Sequence, residues 1–138
     1  ITRPFNYTVV GQGPQFLLPK IVGHFKRGER VIELGNIDVE RDFSDVRTVV
    51  RAYAALLARV PAGEVFNVCS GEAHSLKDAL AMMAEIAGYE IEVRVNPAFV
   101  RANDVKRLQG DAGKLRRAIG ESGAIPLRET LQWMYANA

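Results

Sequence analysis

From Asp45 to Val60, the apolar residues Val46, Val49, Val50, Tyr53, Leu56, Leu57 and Val60 recur at i, i+3, i+4 and i+7 and stop at Pro61. That spacing belongs to an amphipathic helix with Asp45 as its N-cap. Directly after it, Val65 to Ser70 is an apolar run bounded by Gly63 and Gly71, the pattern of a strand covered on both faces. Such a strand belongs to a parallel sheet, and parallel neighbours need crossovers. The fold class is therefore α/β, with right-handed connections.

Ile1 to Asn6 reads as an opening strand that starts on a β-branched apolar residue, with no initiator Met or targeting segment before it. The chain looks entered partway along a strand, which predicts a piece of something longer. The turn Gly11-Gln12-Gly13-Pro14 leads into Phe16, Leu17, Ile21, Val22 and Phe25, one face of a helix that stops at Gly28. Pro19 is tolerable only in the first turn of that helix. Val31 to Asn36 predicts a short strand, and Glu40 to Asp45 a charged extended segment. Ser75-Leu76-Lys77-Asp78 is a capping box opening a helix through Leu80, Met83 and Ile86 to Gly88. Ile91 to Val95 alternates with period two, so one face is wet. Asp111 to Gly120 and Pro126 to Ala136 read as closing helices, the second with Leu127, Leu131 and Met134 on one side.

A chain of 138 residues and 15.2 kDa should expose about 7,000 Å² of the roughly 22,000 Å² of its unfolded form, enough burial for a core without staples. Eighteen Lys and Arg against 16 Asp and Glu leave a charge of +2 spread along the chain, which argues against general nucleic-acid binding. The apolar runs fall far short of a bilayer span, so no membrane role is expected and the chain reads as cytoplasmic. The single cysteine, Cys69, excludes an intramolecular disulfide and a cysteine-cluster metal site and reads as a small core residue. His24 and His74 stand far apart without other ligands at metal spacing, so no metal is expected and both read as solvated or structural.

Several catalytic signatures are missing. A dinucleotide fingerprint needs Gly-x-Gly-x-x-Gly so that backbone amides can reach the pyrophosphate. Here Gly11-x-Gly13 is followed by Pro14, and position 16 is Phe. A Tyr-x-x-x-Lys pair is absent, since Tyr7, Tyr53 and Tyr89 precede Gly11, Leu57 and Val93 at that spacing and Tyr135 runs off the end. No Gly-x-Ser-x-Gly elbow or Walker A Lys occurs. No catalytic residue is assigned. What remains is a set of polar residues at predicted element ends: Asn6, Lys20, Asn36, Arg41 and the turn Arg101-Ala102-Asn103-Asp104. In open α/β sheets ligands bind beyond the strand carboxyl ends, where arginines clamp phosphates and an Asp accepts from ribose hydroxyls. Composition alone allows these residues to be surface salt bridges and turn formers instead.

Arg3-Pro4-Phe5-Asn6, Gly11-Gln12-Gly13, Leu34-Gly35-Asn36-Ile37-Asp38, Arg41-Asp42-Phe43-Ser44-Asp45-Val46, Val49-Val50-Arg51-Ala52-Tyr53, Phe66-Asn67-Val68-Cys69-Ser70-Gly71 and Gly110-Asp111-x-x-Lys114-Leu115 follow one another in order. This series resembles the C-terminal half of the extended short-chain dehydrogenase/reductases that act on nucleotide sugars. The wording is nearest to GDP-mannose 4,6-dehydratases and GDP-4-dehydro-6-deoxymannose reductases. Tyr7-Thr8-Val9-Val10 replaces the usual His-Thr-Gly-Pro, and Ala102 a common Pro.

The resemblance implies the last parallel strands of a Rossmann-like fold plus a small α/β substrate-binding subdomain. Residues 1–138 would be the nucleotide-sugar-binding portion of an NAD(P)-dependent dehydratase or reductase. NAD(P) and the Tyr-Lys pair would belong to an N-terminal Rossmann portion absent from this chain, which by itself would bind no cofactor and be inactive. Position by position, the resemblance implies that Asn6 lies near the diphosphate of a GDP-sugar and that Arg41 and Arg101 grip it from opposite sides. Asp104 would bond the ribose, with Lys20 and Asn36 near the base. Phe43 is assigned to packing and Asp45 to helix capping. The alternatives are a UDP- or dTDP-sugar epimerase or dehydratase half, or a non-catalytic nucleotide-binding or interaction module. An exposed sheet edge and apolar surface predict a homo-oligomer.

Overall fold

A computed structural model describes residues 1–60, 63–100, 102–121 and 123–138. Its strands are β1 (Thr2–Pro4), β2 (Asn6–Thr8), β3 (Val31–Leu34), β4 (Glu40–Asp45), β5 (Phe66–Val68), β6 (Ala73–Ser75), β7 (Glu92–Val95) and β8 (Arg107–Leu108). The helices are α1 (Leu17–Lys26), α2 (Val46–Arg59), α3 (Leu76–Ala87), α4 (Gly113–Ile119) and α5 (Leu127–Ala136), with a 3-10 turn over Pro97–Phe99. Strands pair in parallel as β1 with β5, β2 with β4, β3 with β7 and β4 with β8, while β6 runs antiparallel to β4. The α/β expectation holds, with one antiparallel pair that the sequence pattern did not announce.

The predicted opening strand is two strands. Phe5 still donates to the Val68 carbonyl at 3.0 Å, but Pro4 has no N–H to continue a ladder, and from Asn6 the chain pairs with β4 instead. One short segment therefore joins two sheets.

Helices α2 and α3 start on side-chain caps, Asp45 and Ser75. Pro19 sits in the first turn of α1, whose Leu18, Ile21, Val22 and Phe25 are buried. Phe16, expected on that face, is the N-cap and is 49% exposed. In α3 the Ser75–Asp78 capping box is complete and Gly88 closes the helix at φ 79°. The main core joins α1, α3, α5, β3 and part of β4 through residues such as Phe25, Ile32, Met83 and Leu131; a second packs α2 and α4 against β5.

Asp45 caps α2, accepting from the Arg47 N–H at 2.8 Å, and also accepts from the Thr130 hydroxyl of α5 at 2.8 Å. Burial pushes its carboxyl upward in pKa, but hydrogen bonds from the Arg47 side chain and backbone and from Thr130 outweigh this and hold it below the usual aspartate range. Helix α2 departs from expectation on one flank. Val49, Ala52 and Leu56 are buried, whereas Val50 and Leu57, seven residues apart on one stripe, are 59% and 88% exposed. The apolar arc of α2 is wider than the core beneath it. In total the chain exposes 8002 Å², more than the about 7,000 Å² expected for its mass. Among the described residues no helix is long and apolar enough to cross a membrane.

Candidate functional site

Alternation along β4 sorts its side chains into two groups. Asp42 is fully buried and meets loops at the far ends of other elements: its Oδ1 accepts from the Ser70 N–H and hydroxyl, and its Oδ2 from the Gly71 and Gly110 N–H groups, at 2.7–3.1 Å. Arg41 and Phe43, one residue to either side, line a cavity of about 560 Å³. Parallel pairing sets Asn6 opposite Phe43, so β2 brings Asn6 and Thr8 to the same hollow. The end of β3 contributes Gly35 and Asn36, and the segment before β8 contributes Asp104.

At the cavity wall Arg41 Nη2 donates to Asp104 Oδ1 at 2.6 Å, and Nη1 donates to the Val105 and Glu40 carbonyls at 2.6 and 2.8 Å. The side chains are only 17% and 20% exposed. The guanidinium thus draws the 104–105 segment onto β4 next to the β4–β8 pairing. Asn6 Nδ2 donates to the Asp42 carbonyl at 3.3 Å, which ties the tip of β2 to β4. Asn36 Oδ1 accepts from the Asp38 N–H at 3.0 Å, so its oxygen is used in the turn and its NH₂ is the end suited to a ligand.

Of the six polar positions singled out in the sequence, Asn6, Asn36, Arg41 and Asp104 line this one cavity. Lys20 does not line it but touches its wall: Nζ donates to the Glu33 carbonyl at 2.6 Å and stands 4.7 Å from the centre of the Phe99 ring, itself part of the lining. Arg101 lies outside the described residues. Phe43 is buried, as its packing role requires, and also faces the cavity.

Thr8, Phe16 and Phe99 are among the lining residues that the sequence reading did not assign to the site. Thr8 is buried, with its hydroxyl donating to Gln12 Oε1 at 2.9 Å. Phe16 and Phe99 are aromatics about half exposed at the cavity. A signal for Phe99 did exist in Gly35: a Cβ there would lie 2.4 Å from the Phe99 carbonyl oxygen, so the glycine is what lets the 3-10 turn rest on the end of β3. His24 is bonded to the Lys20 carbonyl and Glu29, and His74 sits on β6 opposite Arg41.

A hollow lined by a guanidinium, a carboxylate, four carboxamides (Asn6, Gln12, Gln15 and Asn36) and aromatic rings can hold a phosphate-bearing ligand that also carries hydroxyls and a flat ring.

A family model described as GDP-mannose 4,6 dehydratase matches residues 1–134. The chain is 33% identical to a GDP-6-deoxy-D-talose 4-dehydrogenase from Aggregatibacter actinomycetemcomitans, over 99% of this chain and 47% of the relative. A crystal structure of a Burkholderia cenocepacia J2315 protein assigned as a candidate epimerase superposes with a TM-score of 0.96 at 58% identity, over 98% of this chain and 45% of that one. RMD from Pseudomonas aeruginosa, solved with NADPH, gives a TM-score of 0.88 at 32% identity over 99% and 46%. The chain spans about half the length of each of these proteins.

Proposed function

The chain belongs to the GDP-mannose 4,6 dehydratase family, and from that premise we propose that residues 1–138 form the nucleotide-sugar-binding portion of an NAD(P)-dependent dehydratase or reductase acting on a GDP-sugar. The fold is that of the C-terminal part of the extended short-chain dehydrogenase/reductases. The observation that carries the proposal is the convergence of Asn6, Asn36, Arg41 and Asp104 on one cavity, whose volume lies within the range of about 300–1,000 Å³ usual for small-molecule sites.

In this reading Arg41 clamps the diphosphate by charge-assisted hydrogen bonds, with Asn6 adding a neutral donor. Asp104, released from Arg41 as phosphate takes its place, accepts from the ribose hydroxyls. Asn36 and Lys20 stand toward the base.

The described residues do not suit NAD(P). Where a dinucleotide fingerprint needs glycine, α1 opens on the bulky N-cap Phe16. We therefore place NAD(P), with the groups that exchange hydride, on a further portion of the enzyme, and expect this chain alone to turn over no GDP-sugar. The surplus exposed area, the pairing of β1 on one side only among the described residues, and the bare Leu57 support a packing partner there. That partner is a further portion of the polypeptide or, in a homo-oligomer, a second copy.

Calorimetric titration of the intact polypeptide with GDP, UDP and dTDP tests the proposal. GDP should bind most tightly, and Arg41→Ala should weaken it about tenfold or more. Preference for UDP or dTDP would favour an epimerase-type substrate, and binding indifferent to Arg41→Ala would remove the cavity from the account.

A further inference from the structure

Phe99 is an aromatic ring left 51% exposed at the cavity and yet fixed in place. Its N–H donates to the Asn96 carbonyl at 2.9 Å, and the Asn96 side chain caps the same turn by accepting from the Ala98 N–H at 2.9 Å. Asn96 Nδ2 is in turn held by Glu33 Oε2 at 3.0 Å. Beneath the turn, Gly35 leaves the room that the Phe99 carbonyl needs. The Lys20 ammonium, itself bonded to the Glu33 carbonyl, covers one face of the ring at 4.7 Å. An exposed Phe with no ligand role would gain little from such fixing. A rigid ring with one face covered by a cation and the rest turned to a polar cavity has the form of a stacking platform for a flat heterocycle.

Resting on the nucleotide-sugar reading above, we propose that Phe99 stacks on the nucleobase of the bound nucleotide and that Lys20 and Gly35 act as positioning residues for that ring. The base is thus held by a π-face, while the diphosphate is held by Arg41.

The test compares dissociation constants for GDP and inorganic pyrophosphate in the intact polypeptide, wild type against Phe99→Ala, Phe99→Leu and Phe99→Tyr. Phe99→Ala should weaken GDP about tenfold and leave pyrophosphate unchanged, the second result also showing that the site is intact. Phe99→Leu, which keeps bulk without a π-face, should lose most of the same affinity, and Phe99→Tyr should retain it. Unchanged GDP affinity in Phe99→Ala, or equal loss of GDP and pyrophosphate, would overturn the stacking role while leaving the nucleotide site standing. Wild-type protein that takes up neither ligand would sink the site reading and this inference with it.

Discussion

Asp42 Oδ2 accepts a hydrogen bond from the Gly110 N–H at 3.1 Å, across 68 positions of sequence. With Ser70 and Gly71 on its other contacts, the buried carboxylate joins β4, the loop after β5 and the loop before α4. It also fixes the strand from which Arg41 and Phe43 reach the cavity.

Asp42→Asn should therefore cost about 3 kcal/mol of stability, because a buried NH₂ would face backbone N–H groups that then lack an acceptor. Urea unfolding of the two proteins measures this directly. A loss below about 1 kcal/mol would show that the loops find other partners.

The depressed Asp45 carboxyl makes stability depend on pH with a definite sign. Its folded-state pKa lies below the ordinary value of 3.8, so its contribution is complete above that value and is lost as pH falls through the folded one. Asp45→Asn keeps a good N-cap but removes the charge. Its thermal midpoint should fall below wild type at neutral pH, and the gap should narrow as both are acidified below pH 3.8. A gap independent of pH would contradict the assignment.

Cys69 should be inert in the native protein. Burial, aided by the Asp42 charge, pushes its thiol up to about 11, so only about one part in a thousand is thiolate at pH 8. It also abuts Gly110, where a Cβ would lie 2.4 Å from its Sγ. A thiol reagent should label Cys69 at the rate of unfolding and not at the rate of a free thiol; rapid labelling of folded protein would show an open site.

Much of the fold was legible because its signals are local. Asp45, the Ser75–Asp78 box and Gly88 mark helix ends through their own hydrogen bonds and φ angles. Strands β6 and β8, of three and two residues, carry no such signal: β4 supplies their pairing partners, so they exist only once it is in place. Glu40 to Asp45 read as a charged extended segment, yet Asp42 and Asp45 are buried, Asp42 against Ser70, Gly71 and Gly110 and Asp45 against nearby Arg47 and distant Thr130. Val50 and Leu57 had the right spacing for a core that this chain does not place over them. Among the site residues, Asn6, Asn36, Arg41 and Asp104 stand out by their place at predicted element ends, but only the family resemblance separates them from surface polar residues. Phe99 carries no local signal, because its place against Gly35 depends on the pairing of β3 with β7.

The central claim, that this cavity holds the diphosphate of a nucleotide sugar, is tested most directly by a crystal structure of the intact polypeptide with GDP. The account predicts an Arg41 Nη atom within about 3 Å of a phosphate oxygen, with the Arg41–Asp104 pair opened and Asp104 turned to the ribose. GDP bound elsewhere, with Arg41 still closed on Asp104, would contradict it.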